Sequence, residues 1–156
     1  YTVCKTHIGE IVFDYRKEPN PCSLCSRMRK GAFNDCAAEL GCNKIAYVHH
    51  KDDVIDSFLM SMLYEGRIHT FSPVTHLEKS GVTLIRPLIY ALEGEIRAFA
   101  RANDIPVCKN PCPADGVTKR QESKDIIDEL KLRVPDVKDR IFSSIEGAGI
   151  DGWSRH

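Results

Sequence analysis

Apolar positions recur along the chain at two different periods, and the switch between them marks out alternating elements. From Ser23 to Leu40, residues Leu24, Met28, Ala32, Cys36 and Leu40 fall four apart, which predicts a helix ended by Gly41. KIAYV (44–48) is a short apolar run of strand type. Helical spacing returns from Asp52 to Tyr64, with Ile55, Leu59 and Met62 on one face, Phe58 beside them and Gly66 as the stop. Thr83 to Ile85 predicts a brief strand closed by Pro87. Glu93 to Ala102 predicts a helix with Ile96, Phe99 and Ala100 inward, and Ile105 to Cys108 another short strand. Ahead of these, TVCKTHIG and GEIVF carry short β-like stretches. Repeated alternation of helix and strand predicts an α/β fold, with a parallel sheet covered by helices. After NPCPADG the pattern becomes helical only. Thr118 to Leu132 and Asp136 to Glu146, joined at Pro135, are expected to form a polar-faced helical tail. Gly147 to His156 is expected as a loose end on which Trp153 either packs back or stays exposed.

Composition narrows the classes. The 156 residues make one ordinary domain, 42% hydrophobic and 28% charged, with a formal net charge of zero. Whole-chain charge therefore gives no case for nucleic acid, and any basic surface must be local. No apolar run reaches the roughly 20 residues of a membrane helix, and YTVCKTHIGE has no basic-then-apolar leader. A cytoplasmic protein without membrane attachment is the expectation. The start lacks Met and opens mid-pattern, as expected of a fragment of a longer protein. Seven cysteines, an odd count, point to a reducing compartment and to metal or sulfur chemistry rather than a disulfide framework. Cys36 and Cys42, in and just after a helical run, read as small structural thiols.

The remaining cysteines frame the chemistry. In PCSLCSRMRKG, Cys22 and Cys25 are followed by Arg27, Arg29 and Lys30, and a second stretch, IPVCKNPCPADG, holds Cys108 and Cys112. Together they suit a four-cysteine zinc knuckle, or a cubane iron–sulfur cluster on three thiolates with one iron left open. The order of elements does not suit a thioredoxin-like redox pair. At HHKDD, residues His49, His50, Asp52 and Asp53 stand where a strand ends and a helix begins, the edge at which open α/β sheets bind ligands. Helix capping accounts for one of the aspartates. A nucleotide enzyme has use for all of these groups, with carboxylates to hold Mg²⁺ among phosphates and imidazole to meet developing charge.

PCSLCSRMRKGAF, then LGCNKIAYVHHKDDVIDSFLMSMLYEGRI, IRPLIY and NPCPADGVTKRQ resemble the tRNA 2-thiolation enzymes of the PP-loop ATPase superfamily, over about residues 1–121. The 2-thiocytidine branch is most similar and the 2-thiouridine branch is a near relative. The resemblance implies a Rossmann-like (adenine nucleotide alpha-hydrolase-like) sheet with helices on both faces, binding ATP and Mg²⁺. It implies adenylation of a pyrimidine C2 oxygen in tRNA and displacement of AMP by sulfur from a persulfide or sulfide donor. It also implies a 4Fe–4S cluster on three cysteines. Carried over by position, the ligands are Cys22, Cys25 and Cys112, the last preferred to Cys108 for its spacing to Arg120. His50, Asp52 and Asp53 fall on the nucleotide side, with both aspartates catalytic. Arg27, Arg29 and Lys30 are placed to meet RNA phosphates or neutralise thiolates, against the plainer reading of a solvated helix face. A homodimer is expected. One signature is absent: no SGGxDS-like phosphate loop occurs in these residues. The expectation is therefore an N-terminally truncated α/β domain over residues 1–112, with a helical C-terminal extension over 113–156. Two alternatives stand beside it. One is a zinc-stabilised RNA- or protein-binding module on Cys22, Cys25, Cys108 and Cys112; the other is a superfamily adenylating enzyme with a non-RNA acceptor.

Overall fold

In a computed structural model of the chain, which describes residues 2–78, 80–108, 110–114 and 119–153, the stretch GEIVF is helical rather than extended. A short helix α1 (Ile8–Glu10) runs on into π-helical turns over Ile11–Arg16. The reason is visible in the spacing. Ile8 and Val12 are four apart and both are buried, so one helical face collects them where strand alternation would have split them. The chain divides into two compact units, Tyr1–Ile45 with His76–Leu84, and Ala46–Thr75 with Ile85–His156.

In the first unit, helix α2 spans Pro21–Glu39. Pro21 suits the first turn because its missing N–H would be unpaired there anyway, and the Asn20 side chain accepts from the Ser23 N–H. Cys36 is joined to Cys4 in a disulfide and Cys42 is exposed. Neither is the small buried thiol that the helical run suggested, because Cys36 faces the segment entering α1 and Cys42 lies beyond the helix end.

Strand β1 (Lys44–Ala46) runs parallel to β3 (Val82–Ile85). Thr83 donates to the Asn43 carbonyl and Tyr47 to that of Ile85, at 3.0 and 2.9 Å. Strand β2 (Val74–Leu77) has no counterpart in the sequence expectation. It joins β3 through a turn in which Gly81, at φ +66°, donates to the Leu77 carbonyl. The sheet order is β1-β3-β2.

The second unit is built on helix α3 (Lys51–Glu65), close to the expected span. Gly66 ends it at φ +64°, with its N–H on the Ser61 carbonyl. Gly66→Ala therefore forces a side chain into the left-handed region and is expected to cost about 1 kcal/mol, seen as a lower urea midpoint with an unchanged slope. Helices α5 (Lys119–Arg133) and α6 (Val137–Gly147) pack against α3. Their shared core holds Val54, Ile55, Leu59, Ile89, Ile127, Phe142, Ile145 and Trp153. Trp153 packs back, edge-on to Tyr90 and Phe142, and its indole N–H donates to the Phe71 carbonyl at 3.2 Å.

Helix α4 (Glu93–Ala102) has the expected bounds, but Phe99 points outward at 63% exposure, and Met62 of α3 is also exposed. Residues 105–108 form no strand: Asp104 turns the chain at φ +50°, and Ile105 and Val107 are exposed. Among the described residues no helix is long and apolar enough to cross a membrane.

Candidate nucleotide edge and cysteine pair

The HHKDD segment is shaped by the start of α3. His50 is the extended residue before the helix (φ −122°, ψ 176°). Its ring Nδ1 accepts from the Asp53 N–H at 3.4 Å, and Asp53 Oδ2 accepts from the His50 N–H at 3.1 Å. This reciprocal cap satisfies two otherwise orphan donors. It also requires His50 Nδ1 to be unprotonated. Lys51 donates its N–H to the Ala91 carbonyl at 2.9 Å, which clips the helix start to the loop before α4.

Asp52 is 6% exposed, and both its oxygens are taken. Oδ2 accepts from the Glu93 N–H at 2.7 Å and Oδ1 from Lys138 Nζ at 2.5 Å. Burial alone would raise the Asp52 carboxyl, but the Glu93 N–H and the Lys138 ammonium outweigh it and hold it below its ordinary value. Burial also acts to lower Lys138, and Asp52 overrides it, so the ammonium is held above its usual value. Asp53 Oδ1 accepts from Arg120 Nη1 at 2.7 Å. One turn on, Asp56 is 3% exposed and its Oδ2 has no hydrogen-bond partner among the described residues. Burial pushes its carboxyl up to about 6, against the pull of Lys124 and Arg120 and with a further push from Asp53 and Asp52.

Three carboxylates thus line one side of α3, and the cations that answer them come from the segment after residue 118. Asp56, Lys138 and the pairing of Arg120 with Asp53 were all missed by the sequence reading. Asp56 had a local signal, since it lies four residues after Asp52 and three after Asp53 on the same helical face. Lys138 had none, being 86 residues from the carboxylate it meets.

The thiols are divided between the two units. Cys22 (exposed) and Cys25 (half-buried) lie in the first turns of α2 in the first unit. Cys112 (half-buried) and Cys108 (exposed) lie in the second, after α4, where the Cys112 N–H donates to Asn110 Oδ1 at 3.2 Å. Among the described residues, neither unit by itself gathers three His, Cys, Asp or Glu side chains in a metal-binding arrangement. The donor chemistry of the pair still fits an iron–sulfur cluster. Cys22 and Cys25 are two free thiols three residues apart in the first turns of a helix, soft sulfur donors of the kind such a cluster takes. Arg27, Arg29 and Lys30 are all exposed on α2, but they do not act as one group. Helical register puts Arg29 on the face of Cys22 and Cys25, Lys30 at its flank and Arg27 on the opposite side. Mg²⁺ does not fit Asp52 and Asp53 as they stand. Each has one oxygen on a cationic side chain and the other on a backbone N–H, so a dication would arrive beside an ammonium and a guanidinium.

An α/β chain with a capped, carboxylate-rich strand-to-helix edge and a CxxC helix defines a class, and residues 12–122 match the family model described as the PP-loop domain. The chain belongs to this PP-loop family. It is 37% identical over 126 residues to the tRNA-cytidine(32) 2-sulfurtransferase of Ralstonia nicotianae, covering 80% of this chain and 40% of that protein. It is 32% identical over 146 residues to the enzyme of the same name from Syntrophotalea carbinolica, covering 92% and 55%. Among solved structures it is similar to the U34-tRNA thiolase NcsA from Methanococcus maripaludis with its [4Fe-4S] cluster. That likeness has a TM-score of 0.70 at 28% identity and covers 86% of this chain and 46% of that one. The chain spans about half the length of the curated relatives it matches.

Proposed function

We propose that this chain is part of an ATP-dependent tRNA 2-sulfurtransferase that acts in the cytoplasm on a pyrimidine of tRNA. The observation that carries the reading is one PP-loop match running through both the CxxC helix and the HHKDD edge, with a sequence relative and a structural neighbour both named for putting sulfur into tRNA. In this reading the pyrimidine C2 oxygen attacks the α-phosphorus of ATP and pyrophosphate leaves. Sulfur then adds at C2, and the C–O bond breaks to release AMP. Cys22, Cys25 and Cys112 would hold a 4Fe–4S cluster, which when bound supplies an iron open to sulfur. His50, Asp52 and Asp53 form the nucleotide-side edge, with the two aspartates fixing local charge rather than gripping Mg²⁺ through both oxygens. Arg29 beside the cysteine pair, Lys30 at its flank and Arg27 from the other side of the helix are the groups on α2 able to meet tRNA phosphates. The sulfur donor is sulfide, or a persulfide whose S–S bond a second thiol then cleaves to leave a disulfide, and the working form is a homodimer.

Two measurements test this. Anaerobically purified intact protein is expected to be brown, with iron and labile sulfide and little zinc. One zinc per chain without iron would overturn the cluster and favour the zinc-stabilised binding module on Cys22, Cys25, Cys108 and Cys112. Thionucleoside analysis of tRNA from a deletion strain is expected to lack 2-thiocytidine. Unchanged 2-thiocytidine and 2-thiouridine would remove the tRNA role and leave an adenylating enzyme with another acceptor.

A further inference from the structure

Residues 51–52 and 138–139 exchange charges in a crossed pair. Lys51 Nζ donates to Asp139 Oδ1 at 2.6 Å, and Lys138 Nζ donates to Asp52 Oδ1 at 2.5 Å. A Lys-Asp pair at the start of α3 therefore meets a second Lys-Asp pair in the first turn of α6, running the opposite way. The two halves differ in surroundings. Asp139 is exposed at its end of the outer pair, and Lys51 also lies over the Phe142 ring, 4.9 Å from its centroid. In the inner pair the carboxylate is buried and has one other donor, the Glu93 N–H. That second donor is backbone and has one position. The direction of the Asp52 carboxylate therefore depends on where Lys138 holds its other oxygen.

The charge balance points the same way. Asp52, Asp53 and Asp56 crowd one side of α3. Arg120 is bonded to Asp53, and Lys124 bonds Glu93 at 3.3 Å. Among the described Lys and Arg side chains only Lys138 bonds Asp52; the His50 ring Nδ1 stands 3.8 Å from Asp52 Oδ2 but accepts from the Asp53 N–H and so gives Asp52 no donor. Without it, a nearly enclosed carboxylate would keep a single donor beside two further carboxylates, and would take a proton or turn away. Lys138 also lies beyond residues 12–122, the extent of the PP-loop match.

We propose that Lys138 is a positioning residue of the nucleotide edge: α6, from outside the matched domain, fixes the Asp52 carboxylate, while Lys51–Asp139 docks the helix. This rests on the reading of Asp52 as a nucleotide-side group. Docking alone is the competing account, and the crossed pair separates the two. Phe142 and Ile145 anchor α6 in the core whatever happens at its start.

The test uses the intact protein and a non-hydrolysable ATP analogue, with Lys138→Met, Lys138→Arg, Asp139→Asn and Asp52→Asn compared with wild type. Lys138→Met is expected to weaken analogue binding about tenfold, to shift the Glu93 amide resonance, and to leave the thermal midpoint within a few degrees. Lys138→Arg is expected to restore binding to within about threefold, and Asp139→Asn to bind as wild type. Equal loss in Lys138→Met and Asp139→Asn would show docking only and overturn the proposal. So would wild-type binding by Lys138→Met while Asp52→Asn binds poorly. Wild-type binding by Asp52→Asn would instead sink the nucleotide reading of this edge, and the proposal with it.

Discussion

Cys112→Ser in the intact protein is expected to abolish iron incorporation, and Cys108→Ser to leave it whole. Serine keeps the shape of the side chain but offers a harder, far less acidic donor, so a thiolate-bound cluster loses one of its three anchors. The two cysteines are close in sequence but differ in setting. Cys112 is half-buried beside Asn110, which accepts from its N–H, whereas Cys108 is exposed. A ligand to a large, oxygen-sensitive group is better placed on the more enclosed of the two. Iron and sulfide analysis after anaerobic purification, with the visible absorption of the cluster, reads the result directly. Loss in Cys108→Ser with retention in Cys112→Ser would exchange their roles. Loss in both, with zinc retained by wild type, would mean a four-thiolate site.

The second large effect concerns Asp56. Its carboxyl titrates near 6 in the folded chain, above the ordinary value of 3.8. Between these two values the folded state holds a proton that the unfolded state has lost. Asp56 therefore favours folding fully at acid pH, and that contribution is lost as pH rises through about 6. Asp56→Asn removes the ionised form. It is expected to stabilise the protein by about 2 kcal/mol at pH 7.5, less than the full shift because the new amide must find partners in the same enclosed place, and to give no gain at pH 4. Urea unfolding at pH 4, 5, 6 and 7.5 gives the comparison. Equal stability of the two proteins at every pH would show that Asp56 is solvated and titrates as an ordinary carboxylate.

What could be read from the sequence was mostly local. The HHKDD turn, the bounds of α4 and the two C-terminal helices follow from spacing, glycine stops and capping residues, all acting within a few residues. GEIVF misled because five residues with apolar neighbours fit a strand as well as a helix. The arbiter, Ile8 buried alongside Val12, lies partly outside that window. Phe99 was placed inward from helical period alone, which gives a face but not whether anything covers it. The site divided in the same way. His50, Asp52 and Asp53 advertise themselves by adjacency. Their counter-ions Arg120 and Lys138 are 67 and 86 residues from the carboxylates they meet, and no local pattern announces a contact of that length.

Helix α2 carries a consequence for how cofactor and chain depend on each other. Of its 19 residues only Ala37 is buried, so little apolar packing holds its first turns, where Cys22 and Cys25 stand. A helix start with so few tertiary contacts has a low free energy of local opening. Any group ligated there spends part of its binding energy on keeping those turns wound. Loss of any group held there and fraying of α2 then become one event, since whatever frees Cys22 and Cys25 also loosens the turns that carry them.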